Sequence, residues 1–219
     1  MKQKIIFCFC LLLAGQFTFA QKAPAIRMHV LGNYVFDDAI DSYFDVGNYY
    51  RGKIMGNFQW GLGLEVMPRS NFGVSINYYR QDTDVPLTYV SNNGGVKRKD
   101  FNTGINYILI GGNRYQPIGK KAEAFGGAQA GLAIISIKNP DPGGNGSLTR
   151  FAWGLHGGAI VWAAKSIGLR FQLQLQSAVQ SIGGGAYFGT SGSGVGLSTN
   201  SSVLQFGMGS GLVFKLGGK

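Results

Sequence analysis

The sequence predicts an all-β fold, a transmembrane up-and-down antiparallel β-barrel of eight strands. Three observations predict it. Charged residues are only 14% of the chain, while 36 of 219 residues are glycine and 13% are aromatic. A soluble domain carries about a quarter charged residues and about 7% glycine. Apolar and polar residues alternate at period two along most of the chain, the repeat that sends successive side chains to opposite faces of a strand. The alternating segments are also long enough, since a tilted strand crosses a bilayer with about 9–11 residues. A mean hydropathy of +0.05 without long apolar runs excludes a helical membrane bundle, and the aromatic content excludes a disordered tract.

Residues 1–20 read as a cleaved signal peptide. Lys2 and Lys4 form the basic start, Ile5 to Leu13 the apolar core, and Thr18-Phe19-Ala20 the small-x-small site before Gln21. Cys8 and Cys10 lie inside the apolar core rather than after it, so no lipoprotein site is predicted, and both leave with the peptide. Residues 21–219 form a single barrel domain, with strands expected at 25–36, 53–66, 72–81, 101–115, 123–137, 150–164, 168–180 and 202–216. The clearest is 168–180, where Leu169, Phe171, Leu173, Leu175 and Val179 oppose Arg170, Gln172, Gln174, Gln176 and Gln180. In 53–66, Ile54, Phe58, Trp60, Leu62, Leu64 and Val66 oppose Lys53, Asn57, Gln59 and Glu65. In 101–115, Phe101, Ile105, Tyr107, Leu109 and Tyr115 oppose Asn102, Asn106 and Arg114. Short turns at 67–71, 116–122 and 165–167 alternate with long polar loops at 37–52, 82–100, 138–149 and 181–201. That rhythm belongs to a barrel with tight periplasmic turns, larger external loops and both termini on the periplasmic side.

A soluble eight-stranded cup would need the opposite arrangement, with Asn, Gln and Gly outside and almost no Lys or Glu there, which is a poor soluble surface. The polar set is therefore assigned to the lumen. Aromatics near strand ends form the expected interface girdles: Tyr34, Phe36, Tyr78, Phe101, Phe151 and Trp153 at the loop end, Phe72, Tyr115, Phe171 and Phe214 at the turn end. An eight-stranded barrel is just wide enough to be filled by side chains. The predicted charge network inside comprises Arg27, Glu65, Arg114, Glu123, Arg170 and Lys215, with His29, Gln59, Asn106, His156, Gln172, Gln174 and Gln176 as neutral lumen groups. Paired buried charges make a plug. Inward glycines such as Gly63, Gly127 and Gly207 would thin the filling and keep a gated polar pore open as an alternative.

The charges sort by end. The turn half carries Lys22, Arg27, Arg69, Arg114, Lys120, Lys121, Lys165, Arg170, Lys215 and Lys219 against Glu65 and Glu123, a basic rim suited to an acidic envelope partner or anionic head groups. The loop half is neutral, but Arg51, Arg80, Lys97, Arg98, Lys99, Lys138 and Arg150 gather at strand–loop boundaries. They are candidate contacts for the phosphates of an outer-leaflet glycolipid such as lipopolysaccharide. Asp37, Asp38, Asp41 and Asp45 depart from calcium-loop spacing, so neither a metal nor any other cofactor is expected. Neither histidine has a Ser and a carboxylate beside it in sequence, so no catalytic residue is assigned. The basic excess lacks the basic-aromatic stripe of a nucleic-acid binder.

In this pattern, over residues 21–219, the chain resembles the eight-stranded outer-membrane barrels of Gram-negative bacteria, the OmpX, OmpW and OmpA-barrel types often described as porin-like. The resemblance implies a monomeric barrel in the outer membrane, in contact with its lipids. It also implies an aromatic residue late in the last strand, the place Phe214 takes, although Leu216-Gly217-Gly218-Lys219 follows it here. The function expected is a non-enzymatic structural or interaction barrel. A narrow porin-like channel is the alternative, and a lipid-modifying enzyme comes third.

Overall fold

A computed structural model describes residues 24–44, 48–90, 96–138, 145–179, 187–189, 192–194 and 203–216. The strands in chain order are β1 (Ala25–Val35), β2 (Asp38–Phe44), β3 (Asn48–Ile54), β4 (Asn57–Arg69), β5 (Phe72–Val90), β6 (Val96–Pro117), β7 (Ala122–Lys138), β8 (Gly146–Trp162), β9 (Ile167–Val179), β10 (Tyr187–Gly189), β11 (Gly192–Gly194) and β12 (Val203–Leu216). Eight of them close a ring in the order β5-β4-β1-β12-β9-β8-β7-β6, and β6 pairs back onto β5. Every pairing is antiparallel, as short turns between successive strands require. β2 and β3 form a hairpin that pairs with the upper part of β5 through Tyr50–Tyr89, Arg51–Thr88 and Gly52–Leu87. The β10–β11 ribbon is a separate two-stranded sheet.

Two turns close locally, Ile118 N donating to Ala122 O at 3.0 Å and Ala164 N to Ile167 O at 3.0 Å, while Tyr115 N of β6 donates to Asn71 O of the β4–β5 turn at 2.9 Å. Pro68 has no N–H to give the ladder, and the β4–β5 register shifts between Val66 and Arg69, around it.

Burial follows the alternation. Outside, Phe58 is 57% exposed, Ile110 62% and Phe171 52%, within a belt that includes Val30, Leu64, Ile76, Leu155 and Met208. Such a surface is incompatible with water and is what a barrel presents to lipid. Inside, Gln59 and Glu65 are fully buried.

Three sequence expectations are corrected. The predicted strand 53–66 is interrupted: Lys53 and Ile54 end β3, and β4 starts at Asn57. The long loops at 37–52, 82–100 and 138–149 are partly sheet, because β2, β3 and the outer limbs of β5, β6 and β8 occupy much of them.

The third correction concerns β6, whose faces are reversed. Phe101, Ile105, Tyr107, Leu109 and Tyr115 point into the barrel, while Asn102, Asn106, Ile108, Ile110 and Arg114 lie on the outer face. Phe101 and Tyr115 are therefore lumen residues and not girdle residues. The reason is that a narrow lumen holds apolar layers as well as polar ones, so the more apolar face of a strand is not always the lipid face.

Candidate functional site

The filled lumen is the candidate site, and it is built in layers. At the turn end, β1 brings Arg27 against Glu123 of β7, with Nη1–Oε1 at 2.7 Å and Nη2–Oε2 at 3.4 Å. The guanidinium also lies 4.5 Å from the Tyr115 ring centre and 5.3 Å from that of Trp162. Lys215 of β12 places its Nζ 3.7 Å over the same indole. These cation–π contacts offset part of the cost of taking the charges out of water. An apolar band of Met67, Tyr115, Phe125, Ile160 and Val213 packs in this part of the lumen.

The next layer centres on Glu65. Asn113 Nδ2 donates to Oε1 at 2.7 Å, the Tyr115 hydroxyl donates to Oε2 at 2.7 Å, and His29 Nε2 lies 3.1 Å from Oε2. Since a carboxylate accepts, His29 carries its proton on Nε2. Its bare Nδ1 then faces Arg170 Nη1 at 3.4 Å, so the ring is the neutral tautomer. Arg170 donates from Nε to Gln172 Oε1 at 2.9 Å and stacks 3.9 Å over the Phe125 ring. Asn113 Oδ1 accepts from His156 Nε2 at 2.5 Å.

Beside this layer runs an amide ladder. Gln172 Nε2 donates to Asn33 Oδ1 and to Gln174 Oε1, both at 3.1 Å. Gln174 Nε2 reaches Gln59 Oε1 at 2.7 Å, and Gln59 Nε2 reaches Gln176 Oε1 at 3.0 Å. On the other wall, Asn77 Nδ2 donates to Gln129 Oε1 at 3.1 Å. At two inward glycines a neighbouring polar side chain takes the space. A Cβ at Gly73 would strike the Glu65 carboxylate, coming within 2.8 Å even of its Cγ. One at Gly207 would lie 3.2 Å from Gln174 Cγ. At Gly73 and Gly207 a long polar side chain from a neighbouring strand lies across the wall.

Towards the loops the filling turns apolar, with Leu31, Tyr79, Ile105, Tyr107 and Leu109 against Ala133, Ala152 and Ala178. Ile54, Val85 and Phe101 form a further cluster.

Of the residues predicted for the lumen, the structure brings Arg27, His29, Gln59, Glu65, Glu123, His156, Arg170, Gln172, Gln174 and Gln176 into these layers, with Lys215 at their turn end. Arg114 and Asn106 are corrections, since both follow the reversed β6 face. Arg114 is exposed on the outside at the turn end. Asn106 Oδ1 accepts from the Tyr78 hydroxyl at 2.8 Å and from Arg80 Nη1 at 2.9 Å, on the outer face. Sequence reasoning missed Asn113 and Tyr115. What fixes the facing of β6 is its register with β5, where the inward Tyr79 is the cross-strand partner of Tyr107.

The loop-side basic residues do not form one cluster. Arg80 stands outside and pairs with Asp82, Arg98 lies outside 3.6 Å from Asp100, and Lys138 is exposed on the outer face. Lys99 and Arg150 fall in the inward alternation, Lys99 Nζ 5.5 Å over the Phe101 ring and Arg150 Nη1 donating to Thr149 O at 3.2 Å. The side chains of Arg51 and Lys97, and Asp45 of the first loop, lie outside the described residues.

Asp37 accepts from Lys53 Nζ at 2.5 Å and from Gly56 N at 2.6 Å. The Lys53 bond, then the Gly56 amide, holds its carboxyl below the usual value. Asp38 accepts from Leu204 N at 2.9 Å, yet burial outweighs that bond and raises its pKa.

At the turn end Arg69, Arg114, Lys120, Lys121 and Lys165 are all exposed. Both acids of that half, Glu65 and Glu123, are committed to the lumen.

No protein-family model matches the chain, and no curated protein matches it. Solved structures do. The crystal structure of Neisserial surface protein A is similar over 87% of this chain and 97% of that one, at 12% identity and a TM-score of 0.55. Outer membrane protein OprG from Pseudomonas aeruginosa is similar over 89% and 97%, at 12% identity and a TM-score of 0.51. This chain is an eight-stranded barrel of the outer-membrane type. At such identity the likeness is one of fold. The lipid-facing belt of this barrel agrees with it, and fold and belt together place the protein in the outer membrane.

Proposed function

We propose that this outer-membrane barrel is a closed, non-enzymatic, monomeric scaffold that works through its two ends. The observation carrying this reading is the bracing of the lumen from wall to wall. Arg27 of β1 is tied to Glu123 of β7, and Glu65 of β4 to Asn113 and Tyr115 of β6 and His29 of β1. A solute would have to break charge-assisted bonds, which are about twice as strong as neutral ones. Both histidines are buried within this bracing, which supports a packing role for them. The turn-side cations Arg69, Lys120, Lys121 and Lys165 suit an acidic partner in the envelope. On the loop side the outward subset, Arg98 and Lys138 above all, suits glycolipid phosphates. The test is single-channel conductance of the refolded protein in a planar bilayer. Silence from a correctly folded, heat-modifiable barrel is expected. Reproducible steps that change with Glu65→Ala would overturn the reading in favour of a narrow channel.

A further inference from the structure

We propose that the loop-side part of the lumen is a blind vestibule for water and small neutral hydrogen-bonding solutes of the urea and glycerol class, ending on the charged layer below. The proposal rests on the closed-lumen reading above and adds a site to it. Among the described residues, nine buried side-chain polar atoms have no hydrogen-bond partner. Seven of them belong to five residues: both amide atoms of Gln81, both of Gln205, Nε2 of Gln176, the Tyr107 hydroxyl and the Thr103 hydroxyl.

The register draws these five together. Gln81 is the cross-strand partner of Ile105, with Thr103 and Tyr107 two positions to either side of it on the same face. Gln59 is the other partner of Gln81 and donates across to Gln176, whose own partner is Gln205. The five residues form a polar patch that crosses the barrel.

Gln81 and Tyr107 are completely buried, and Gln176 and Gln205 are 1% exposed. A buried donor or acceptor without a partner carries its full desolvation cost, so this patch gains by admitting molecules that supply partners. In the layer below the charged groups have theirs, and the two remaining orphan atoms, Gln129 Nε2 and His156 Nδ1, are single atoms of side chains already bonded to Asn77 and Asn113. The apolar cluster beside the patch includes three short side chains, Ala133, Ala152 and Ala178. The ligand class follows from the lining. Amides and hydroxyls offer donors and acceptors in similar number, and none of the five residues carries a charge to recognise an ion.

Thiol labelling of the full chain with Cys8→Ser and Cys10→Ser tests this. Thr103→Cys reports on the vestibule and Ser75→Cys on the Glu65 layer, both nearly isosteric replacements, with folding checked by heat-modifiable gel mobility. In the folded barrel a small neutral methanethiosulfonate should modify Thr103→Cys at least about ten-fold faster than Ser75→Cys, as expected where local opening reaches one layer and not the other. A charged reagent of similar size should be slower at Thr103→Cys. Adding Gln81→Leu and Gln205→Leu should slow the neutral reagent there, because the opening loses its gain. Equal, slow labelling at both positions overturns the vestibule and leaves the closed lumen standing. Equal, fast labelling at both overturns the closed lumen itself. If the leucine variant does not fold, the comparison of the two cysteines still decides.

Discussion

Replacing Glu65 by alanine removes the centre of the buried network in one step. Three bonds are lost at once, to Asn113, Tyr115 and His29. The Tyr115 hydroxyl is left without its acceptor and Asn113 Nδ2 keeps only its 3.4 Å bond to Ser75 Oγ, in a buried site. Bonds to charged groups contribute about 1.5–3 kcal/mol each, and the loss of three is offset in part because the variant no longer carries the desolvation cost of a buried carboxylate. The expected loss of unfolding free energy for Glu65→Ala is therefore about 4 kcal/mol. Glu65→Gln keeps an oxygen for Asn113 and offers an N–H to the tyrosine oxygen or the imidazole. Its loss should be nearer about 1–2 kcal/mol, that of one weakened bond. Urea unfolding in detergent micelles, followed by tryptophan fluorescence and by gel mobility without boiling, measures both. A Glu65→Ala barrel within about 1 kcal/mol of the parent would refute the reasoning. So would a glutamine variant as unstable as the alanine variant, since the loss would then come from charge alone and not from the bonds.

Gly73→Ala should cost about 1–3 kcal/mol by driving the Glu65 side chain off the wall. That cost should vanish in a Glu65→Ala background, a coupling that a double-mutant cycle in the same urea assay reads directly. Arg114→Ala should change stability by no more than about 0.5 kcal/mol, because its side chain is on the outer surface; a loss as large as that of Glu65→Ala would put it back in the lumen network. The two loop aspartates should respond to acid in opposite senses. Asp37 has a lowered pKa, so its contribution is present above the unfolded value near 3.8 and is lost as the pH falls through the lower folded value. Asp38 has a raised pKa, so falling pH relieves the cost of its buried charge. Proton titration of the two carboxyls by NMR, with Asp37 titrating at lower pH than Asp38, checks the assignment, and the reverse order refutes it.

Most of the fold was legible because the alternation is strong where one face meets lipid and the other meets amides. β9 is the best example: Leu169 to Leu175 outside and Arg170 to Gln176 inside are separated without exception. β6 was not legible by the same rule. Tyr107, Leu109 and Tyr115 look like lipid-facing residues, yet they fill the lumen, while Ile108 and Ile110 take the lipid side. When both faces are apolar, only the register with a neighbouring strand decides, and the sequence does not display the register. The error carried Arg114 and Asn106 into the lumen and left Asn113 and Tyr115 out of the Glu65 site. The outer limbs of β5 and β6 read as loop because Asp82, Asp84 and the 97–100 run are polar. Beyond the lipid belt both faces of a strand meet water, and polarity no longer separates strand from loop.

The unequal lengths of β6 and β7 have one more consequence. β5 accompanies β6 out to Val96, whereas the β7 register stops at Asn102–Lys138. Among the described residues, the β7 ladder thus stops before the stretch from Val96 to Phe101, which the β5 ladder covers. An open row of peptide groups at a sheet edge is a template onto which a stray strand from a neighbouring molecule can dock. This stretch reads Val-Lys-Arg-Lys-Asp-Phe, with a charge at four successive positions. Charged side chains, lysine above all, are how natural proteins discourage growth from an exposed sheet edge. The run Lys97-Arg98-Lys99-Asp100 so disfavours sideways pairing at this end of the barrel, beside any contact its cations make with phosphate.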